Sequence, residues 1–182
     1  MKIVVTGNMG CGKSTAVQQL RKYLPHYELF DFDAMVHSIY EDESIQKLLI
    51  ATFGTFDRHL ISDIVYADPE KMKQLRAIVD SLASQYTEAA FSQDNVILDV
   101  PLYFEYMSHL PVDEVICITC DEAVQRARVK QRNGFTDEQI TAILALQLSM
   151  TEKARRSTIV IVNNGTVEHL RASVRLAIGR IS

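Results

Sequence analysis

A glycine-rich segment near the start of the sequence has the composition of a phosphate-binding loop. Residues 7–14 read GNMGCGKS and lie between the apolar run 3–6 and a helix-like stretch. Glycines let backbone N–H groups approach phosphate oxygens, and the helix that follows directs its positive end at the same place. In such loops the lysine reaches the β- and γ-phosphates, and the serine hydroxyl is suited to magnesium. The residues predicted to bind a nucleoside triphosphate are Gly7, Asn8, Met9, Gly10, Cys11, Gly12, Lys13, Ser14 and Thr15.

A carboxylate ends the apolar run at 96–98, where Asp99 closes a predicted strand. An aspartate there can hold magnesium directly or through water. With the Ser14 hydroxyl it would supply the protein's part of the magnesium coordination shell. A lone aspartate at a strand end is also a common turn former. Because the phosphate-binding loop is present, we favour the magnesium role for Ser14 and Asp99.

Two further carboxylates, Asp31 and Asp33, lie at the carboxyl end of the second predicted strand. Ligands of open parallel sheets bind at the carboxyl ends of the strands, and alternation along a strand would place both carboxylates on one face. One of them is suited to accept the proton of an attacking hydroxyl. The alternative is that Asp33 caps a helix beginning at Ala34, and the two roles are compatible.

Three arginines, Arg126, Arg128 and Arg132, fall on one predicted helix and its end, just before the turn at 133–134. Arg128 and Arg132 are four residues apart and therefore share a face. An arginine-bearing helix that stops at a glycine turn before another helix has the layout of a closing lid. Phosphoryl transfer is catalysed mainly by positioning and charge neutralisation, which such a lid provides. The alternative is a solvated helix face with ordinary ion pairs.

The three cysteines do not form a disulfide framework, because their number is odd and small. Cys117 and Cys120 have C-x-x-C spacing, but on a strand they point to opposite faces, so buried packing is favoured over a metal or redox pair. Cys11 lies beside a helix start, where the pKa of a thiol tends to fall. We therefore expect Cys11 to be alkylatable and protected by nucleotide.

The elements that position these residues follow from alternating short apolar runs and longer amphipathic stretches. They predict an α/β fold with a five-stranded parallel sheet and helices on both faces. That this sheet is of P-loop kinase type is implied only by the family resemblance given below. Thr136 and Gln139 form a capping-box pattern for a helix that ends near Arg156. The predicted strands are 2–6, 28–31, 96–100, 114–119 and 158–162.

Length and composition favour one domain over residues 1–182, since 47% hydrophobic residues are enough for a single core. Within it we expect a helical, acceptor-binding insertion at 43–91 and a lid at about 126–150. The net charge of −4 and the lack of basic runs argue against a nucleic-acid or membrane-surface partner. No leader or spanning stretch is found in the sequence, so a cytoplasmic protein with small-molecule partners is expected. The oligomeric state is left open.

Several classes of phosphate-loop protein remain to be separated. A guanine-specific GTPase would carry an N-K-x-D motif, and no asparagine here is followed by lysine. Motor ATPases need a larger core and an arginine from a neighbouring subunit. A small-molecule kinase therefore fits best, with a nucleotide-binding module without turnover as the alternative from another class.

Motifs along almost the whole chain resemble dephospho-coenzyme A kinase. They occur in that family's order and at nearly its spacing, and the segment 101–105, PLYFE, is the most specific of them. The other motifs are the phosphate-binding loop, Asp31 to Ala34 with His37, Asp99, the pattern of Gln125, Arg128 and Arg132, the stretch 147–153, and the turn 163–165.

The resemblance implies transfer of the γ-phosphate of ATP, with magnesium, to the ribose 3′-hydroxyl of dephospho-coenzyme A, the last step of coenzyme A biosynthesis. By matching position, Asp33 would be the general base, Lys13 the phosphate neutraliser, and Arg128 and Arg132 the lid arginines. The adenine of ATP would contact Asn163 and Gly165, and the acceptor would contact Asp33, His37, Arg58, Leu102, Tyr103, Phe104 and Glu105.

The chain also departs from the family pattern. Asn8 stands where the family usually has a second glycine, and Asp80-Ser81 replaces a His-Pro pair. These differences leave a nucleoside or deoxynucleoside monophosphate as the alternative acceptor.

Overall fold

The computed structural model describes residues 1–181, apart from the side chains of Ile39, Tyr66, Ser81, Leu82 and Ala83. The Ser81 side chain of the Asp80-Ser81 pair thus lies outside the described residues. Contacts divide the chain into two compact units. We call Met1–Phe30 with Asp94–Ser182 the sheet unit and Asp31–Gln93 the helical unit. The predicted insertion 43–91 lies within the helical unit.

The expected five-stranded parallel sheet is confirmed, with the strand order β2-β3-β1-β4-β5. Its central strand, β1, pairs with β3 in a register that places Val5 opposite Asp99. On its other side β1 pairs with β4, which places Thr6 opposite Cys117. The strands are β1 (Lys2–Thr6), β2 (Glu28–Asp31), β3 (Val96–Asp99), β4 (Glu114–Thr119) and β5 (Ile159–Val162).

The helices complete the α/β pattern. In the sheet unit they are α1 (Lys13–Tyr23), α6 (Glu122–Asn133), α7 (Asp137–Ala145), α8 (Met150–Arg156) and α9 (Val167–Ile178). In the helical unit they are α2 (Phe32–Ile39), α3 (Glu43–Phe53), α4 (Arg58–Ala67) and α5 (Pro69–Phe91). A π-helical turn, Tyr103–Met107, follows β3.

The main core of the sheet unit lies on one face of the sheet, beneath α1 and α9. Alternate residues of a strand point to opposite faces, so this face takes every second residue of β1, β4 and β5. Helix α8 packs against β4. The core residues contributed by the strands to the α1 and α9 face are Ile3, Val5, Ile97, Ile116, Ile118, Ile159 and Ile161.

The helix predicted to run from Thr136 to near Arg156 is broken into α7 and α8, which corrects that expectation. The capping box at Thr136 is present, with Gln139 as its partner. Helix α8 then has a new N-cap, Ser149, which accepts from the Glu152 amide at 3.2 Å. Leu148 makes tertiary hydrogen bonds through both its N–H and its carbonyl, and these replace the helical ladder at the break.

The helical unit is organised around α5, which packs against α2, α3 and α4. Asp68 caps α5 and Pro69 occupies its first turn, as the sequence predicts. Asp31, not Asp33, caps α2: its carboxylate accepts from the Ala34 amide at 2.9 Å. The buried apolar residues of this unit include Met35, Ile45, Leu49, Ile61 and Val65.

None of the helices in the described part of the chain combines the length and the apolar character needed to cross a membrane.

Candidate active site

The phosphate-binding loop joins β1 to α1 in a conformation that requires glycine. Gly10 and Gly12 have φ angles of 84° and 97°, in the left-handed region. A Cβ at Gly12 would lie 2.4 Å from Asn163 Nδ2, and one at Gly10 would lie 2.7 Å from Val129 Cγ2. Helix α1 starts at Gly12 without a side-chain cap. Its first N–H groups and its positive end are therefore open to an anion.

Three long-range hydrogen bonds of side chains, two from outside the loop and one from within it, support this loop. Gln125 on α6 donates through Nε2 to the Met9 carbonyl at 2.7 Å. Asn163, after β5, donates through Nδ2 to the Cys11 carbonyl at 2.8 Å. Asn8, the residue that departs from the family's glycine, donates through Nδ2 to the Leu148 carbonyl at 3.2 Å. These three bonds use loop carbonyls and the Asn8 side chain, so none of them occupies a loop amide, although the Cys11 amide donates within the loop to the Asn8 carbonyl.

Lys13 and Asp99 form an ion pair at the carboxyl end of β3. The Lys13 ammonium contacts Asp99 Oδ1, and Asp99 is buried. Ser14 lies in the first turn of α1 and is exposed. A hydroxyl and a carboxylate are oxygen donors of the kind that magnesium takes, the remaining ligands in nucleotide sites being phosphate oxygens and water. The donor chemistry of Ser14 and Asp99 therefore fits the ion.

The segment predicted to face the acceptor is a π-helical turn, and two of its side chains point inward. Tyr103 and Phe104 are buried, with their ring centroids 5.2 Å apart in an edge-to-face arrangement. The Tyr103 hydroxyl donates to the Leu110 carbonyl, and burial raises the pKa of that hydroxyl. Only Leu102 and Glu105 of this segment are partly exposed. Tyr103 and Phe104 thus support the turn from within, and their contact with the acceptor stays a prediction.

Glu105 takes part in a buried network that the sequence analysis did not identify. Its Oε1 accepts from Lys153 Nζ at 2.9 Å and from the Leu148 amide at 2.8 Å. Lys153 is fully buried and also donates to the Pro101 carbonyl at 2.8 Å. Thr6, the last residue of β1, donates to the same carbonyl. With the Asn8 to Leu148 bond, these contacts form a ring, the Lys153 ring, that begins and ends at the phosphate-binding loop.

The Lys153 ring and Gln147, which precedes its member Leu148 in the chain, have unused acceptors. Asn8 Oδ1, Glu105 Oε2 and Gln147 Oε1 are buried without a hydrogen-bond partner in the described structure. Buried acceptors without donors are costly, so these oxygens are available to donor groups of water or a ligand.

The two arginines expected to belong to a lid have different surroundings. Arg128 donates through Nη1 to the Asn163 carbonyl at 2.8 Å and through Nη2 to the Gly165 carbonyl at 3.0 Å. Arg132 is exposed and donates through Nε to the neighbouring Asn133 side chain. Although the two are four residues apart, Arg128 is tied to the loop after β5, and Arg132 alone extends into solvent.

The expectation for Cys11 is wrong, because its thiol is fully buried rather than exposed in the loop. Its Sγ lies 3.2 Å from that of Cys120 and 3.3 Å from Met150 Sδ. Contact with Cys120 and burial raise the pKa of Cys11. Cys117 and Cys120 are both buried, as predicted, and of the two Cys120, which follows β4, belongs to the core beneath α1 and α9.

The helical unit brings together two residues expected to bind the acceptor. Arg58 Nη1, at the start of α4, lies 2.9 Å from His37 Nδ1 on α2. The Arg58 guanidinium also stacks over the Tyr40 ring, 5.9 Å from its centroid. Asp33 is exposed in the first turn of α2, and no hydrogen bond of its carboxylate is found within the described residues. An arginine–histidine pair and a carboxylate without a described hydrogen bond therefore lie on one helix and its neighbour.

Comparison with known proteins identifies a family across this chain. A family model described as dephospho-CoA kinase matches residues 1–169. A dephospho-CoA kinase from Rhodopseudomonas palustris strain BisB18 is 34% identical over 182 residues, covering 94% of this chain and 90% of that protein.

Solved structures are also similar. The protein TT1252 from Thermus thermophilus superposes with a TM-score of 0.82 at 27% identity, covering 100% of this chain and 98% of the other. A dephospho-CoA kinase from Campylobacter jejuni gives 0.63 at 20% identity, covering 100% and 97%, and indicates a shared fold.

Proposed function

The chain belongs to the dephospho-CoA kinase family, and we propose that it transfers the γ-phosphate of ATP to the 3′-hydroxyl of dephospho-CoA with Asp33 as the general base. The ATP-dependent phosphorylation of dephospho-CoA places the protein in coenzyme A biosynthesis. The observation that carries this function is the match to the family along residues 1–169.

In the proposed step, the Asp33 carboxylate accepts the proton of the acceptor hydroxyl as its oxygen attacks the γ-phosphorus. The bond from that phosphorus to the β–γ bridging oxygen breaks, and ADP leaves with the electron pair. The role of Asp33 is supported by its free, exposed carboxylate and by Asp31, which already caps α2. A carboxylate not required for capping is available for proton transfer.

Lys13 neutralises the phosphates in this proposal. In the structure its ammonium is paired with Asp99, so nucleotide binding exchanges one anionic partner for another. Ser14 and Asp99 would then hold magnesium, which supplies charge neutralisation at the phosphate oxygens when bound. The amides of the loop and the open end of α1 bind the same phosphates.

The arginines divide between two tasks. Arg132, which is exposed at the end of α6, is the lid arginine proposed to neutralise charge on the transferred group. Arg128 supports that group less directly, because its guanidinium holds the carbonyls of Asn163 and Gly165. Those two residues are proposed to contact the adenine, so Arg128 shapes the adenine site.

On the acceptor side, His37 and Arg58 are proposed to bind the anionic acceptor, with Leu102 and Glu105 in contact with it. The guanidinium of Arg58 is a bidentate donor suited to phosphate. A cytoplasmic location fits a protein whose proposed substrates are ATP and a coenzyme precursor.

The proposed acceptor is tested by measuring ADP release with ATP and dephospho-CoA, beside a panel of nucleoside and deoxynucleoside monophosphates. We expect turnover with dephospho-CoA and phosphate on the 3′-oxygen of the product by phosphorus NMR. Turnover with the monophosphates alone would overturn the acceptor assignment. Tight ATP binding without turnover of any acceptor would instead support a binding module.

A further inference from the structure

Two thiols lie in contact beneath the phosphate-binding loop, and the proposed reaction uses neither. Cys11 and Cys120 are 0% and 6% exposed, and their Sγ atoms are 3.2 Å apart. Cys11 belongs to the loop and Cys120 follows β4, so the contact joins segments 109 residues apart in sequence. A shift of about 1.2 Å would bring the sulfurs to a disulfide bond length of about 2.05 Å.

We propose that Cys11 and Cys120 are a modification site, at which a hydroperoxide converts the two thiols to an intramolecular disulfide. The bond would draw the phosphate-binding loop toward the end of β4. It would therefore disturb the amides that face the nucleotide's phosphates.

The electrostatics of the pair distinguish the two sulfurs. The hydrogen bond with Cys11 lowers the pKa of Cys120, and the nearby Arg128 guanidinium acts in the same direction. The same contact and burial raise the pKa of Cys11. Cys120 is thus the sulfur that ionises first, and a thiolate is the form that attacks peroxide.

The chemistry balances with a hydroperoxide as oxidant. The Cys120 thiolate attacks one peroxide oxygen, the O–O bond breaks, and a sulfenic acid and water or an alcohol result after one protonation. The Cys11 sulfur then attacks the Cys120 sulfur, the S–S bond forms and the S–O bond breaks, and the oxygen leaves as water with the Cys11 proton. The two thiols together lose two electrons, and the peroxide gains those two electrons.

The position of Cys11 in the loop explains why a small shift would matter. Its carbonyl accepts from Asn163, and its amide donates to the Asn8 carbonyl at 3.2 Å. Gly10 and Gly12 on either side have no room for a Cβ. A displaced Cys11 would therefore move several groups that support the anion site at once.

Cys117 provides a matched control within the same chain. It is buried like the pair, but it points to the other face of β4. Burial raises its pKa to about 11, partly offset by the Ser157 hydroxyl and Lys153. A cysteine that is buried without a neighbouring sulfur should remain reduced under conditions that oxidise the pair.

The full-length protein would be treated with hydrogen peroxide, quenched, denatured, alkylated and mapped by mass spectrometry without reduction. We expect a peptide joining Cys11 to Cys120 in the wild type and in Cys117→Ser, and none in Cys120→Ser. Three alkylated cysteines after treatment, a crosslink to Cys117, or sulfinic and sulfonic acids alone would overturn the proposal. If Cys120→Ser does not fold, the wild type and Cys117→Ser still decide it.

The functional consequence rests on the proposed nucleotide site, whereas the mapping does not. Because misplacement by about 1 Å can cost 10²-fold in rate, we expect a loss of roughly 10²-fold in the kinase activity of the oxidised protein. Dithiothreitol should restore it. A mapped disulfide with full activity would retain the modification site and refute its effect on the loop. If the disulfide is mapped in the oxidised protein but the reduced protein has no kinase activity, the result would count against the proposed function alone.

Discussion

In the sheet unit, Lys13 and Asn163 are already bonded to Asp99 and the loop backbone, whereas in the helical unit Asp33 and His37 lie exposed. The contact of His37 with Arg58 is itself between exposed groups. Side chains that are ordered before binding lose less conformational entropy when the ligand arrives. The residues of the sheet unit proposed to bind the nucleotide are therefore preorganised, whereas Asp33 and His37 of the helical unit would lose conformational entropy when the proposed acceptor binds.

The sheet unit also holds its proposed nucleotide-binding loop with hydrogen bonds from several elements. The phosphate-binding loop is held by bonds from α6, the loop after β5 and the break before α8. Substitutions in the sheet unit should therefore change stability and ATP affinity together. Substitutions at the exposed residues of the helical unit should change the use of the acceptor alone.

The largest effect is expected for Asp33→Asn, which tests the helical unit. Loss of the general base should lower kcat by about 10²–10⁴-fold while the affinity for ATP is nearly retained. Asp31→Asn is the matched control, because asparagine also caps helices well. Steady-state kinetics and ATP titration would measure both variants. An unchanged kcat for Asp33→Asn would exclude the base assignment.

Next in size is Lys13→Met, which tests the sheet unit. Loss of one preorganised positive donor should lower kcat/KM by about 10²–10³-fold. The variant should also unfold more easily, because Asp99 is buried and loses its lysine partner. Lys22→Met, at an exposed position in the last turn of α1, controls for the loss of charge. An unchanged kcat/KM for Lys13→Met would contradict the role.

The Lys153 ring supplies a third test, in which stability and positioning can be separated. Lys153→Met leaves the Glu105 carboxylate buried without its partner and should lower the free energy of unfolding by about 3–5 kcal/mol. The double variant Lys153→Met with Glu105→Leu should recover much of that loss, since an apolar pair of similar volume is tolerated.

If the ring positions the loop, the double variant should stay impaired in kcat/KM for ATP despite its recovered stability. Denaturant unfolding and kinetics on the same preparations would distinguish these outcomes. Full recovery of both properties would show that the ring contributes stability and nothing further.

The smallest effect is expected for Arg58→Ala. The loss of one charged donor at an exposed site should raise the KM for the acceptor about tenfold, equivalent to about 1.4 kcal/mol, and leave the KM for ATP unchanged. Lys47→Ala, on the exposed surface of α3, is the control. A parallel rise in the KM for ATP would show that Arg58 also affects ATP binding. That result would contradict the expectation that exposed residues of the helical unit affect the use of the acceptor alone.

Much of the fold could be predicted because its signals are local. The strand bounds, the start of α5 at Asp68 and Pro69, and the capping box at Thr136 follow from residues within a few positions of one another. The loop of 7–14 is equally local, since a glycine's φ and a helix end depend on neighbouring residues. The candidate site was less predictable, because most of its partners are distant in sequence.

Lys153 and Gln125 show which features of the candidate site could not be predicted from the sequence. Lys153 lies on a short helix and is charged, which suggests exposure, yet it is fully buried because Glu105 and Pro101 satisfy its ammonium. Gln125 was found only as part of a family pattern, although its position four residues before the buried Val129 indicates an inward side chain. The hydrogen bond from Gln125 to the Met9 carbonyl explains why a polar side chain occupies this buried position.

By itself, the sequence determined the order of strands and helices, the anion-binding loop and the family. Only the tertiary structure decided that Asp31 caps α2, that Cys11 is buried against Cys120, and that Leu148 interrupts a helix. The physical reason is the range of the interactions. Backbone conformation and capping are set by neighbours in the chain, but burial, ion pairing and the pKa of a thiol depend on side chains that only folding brings together.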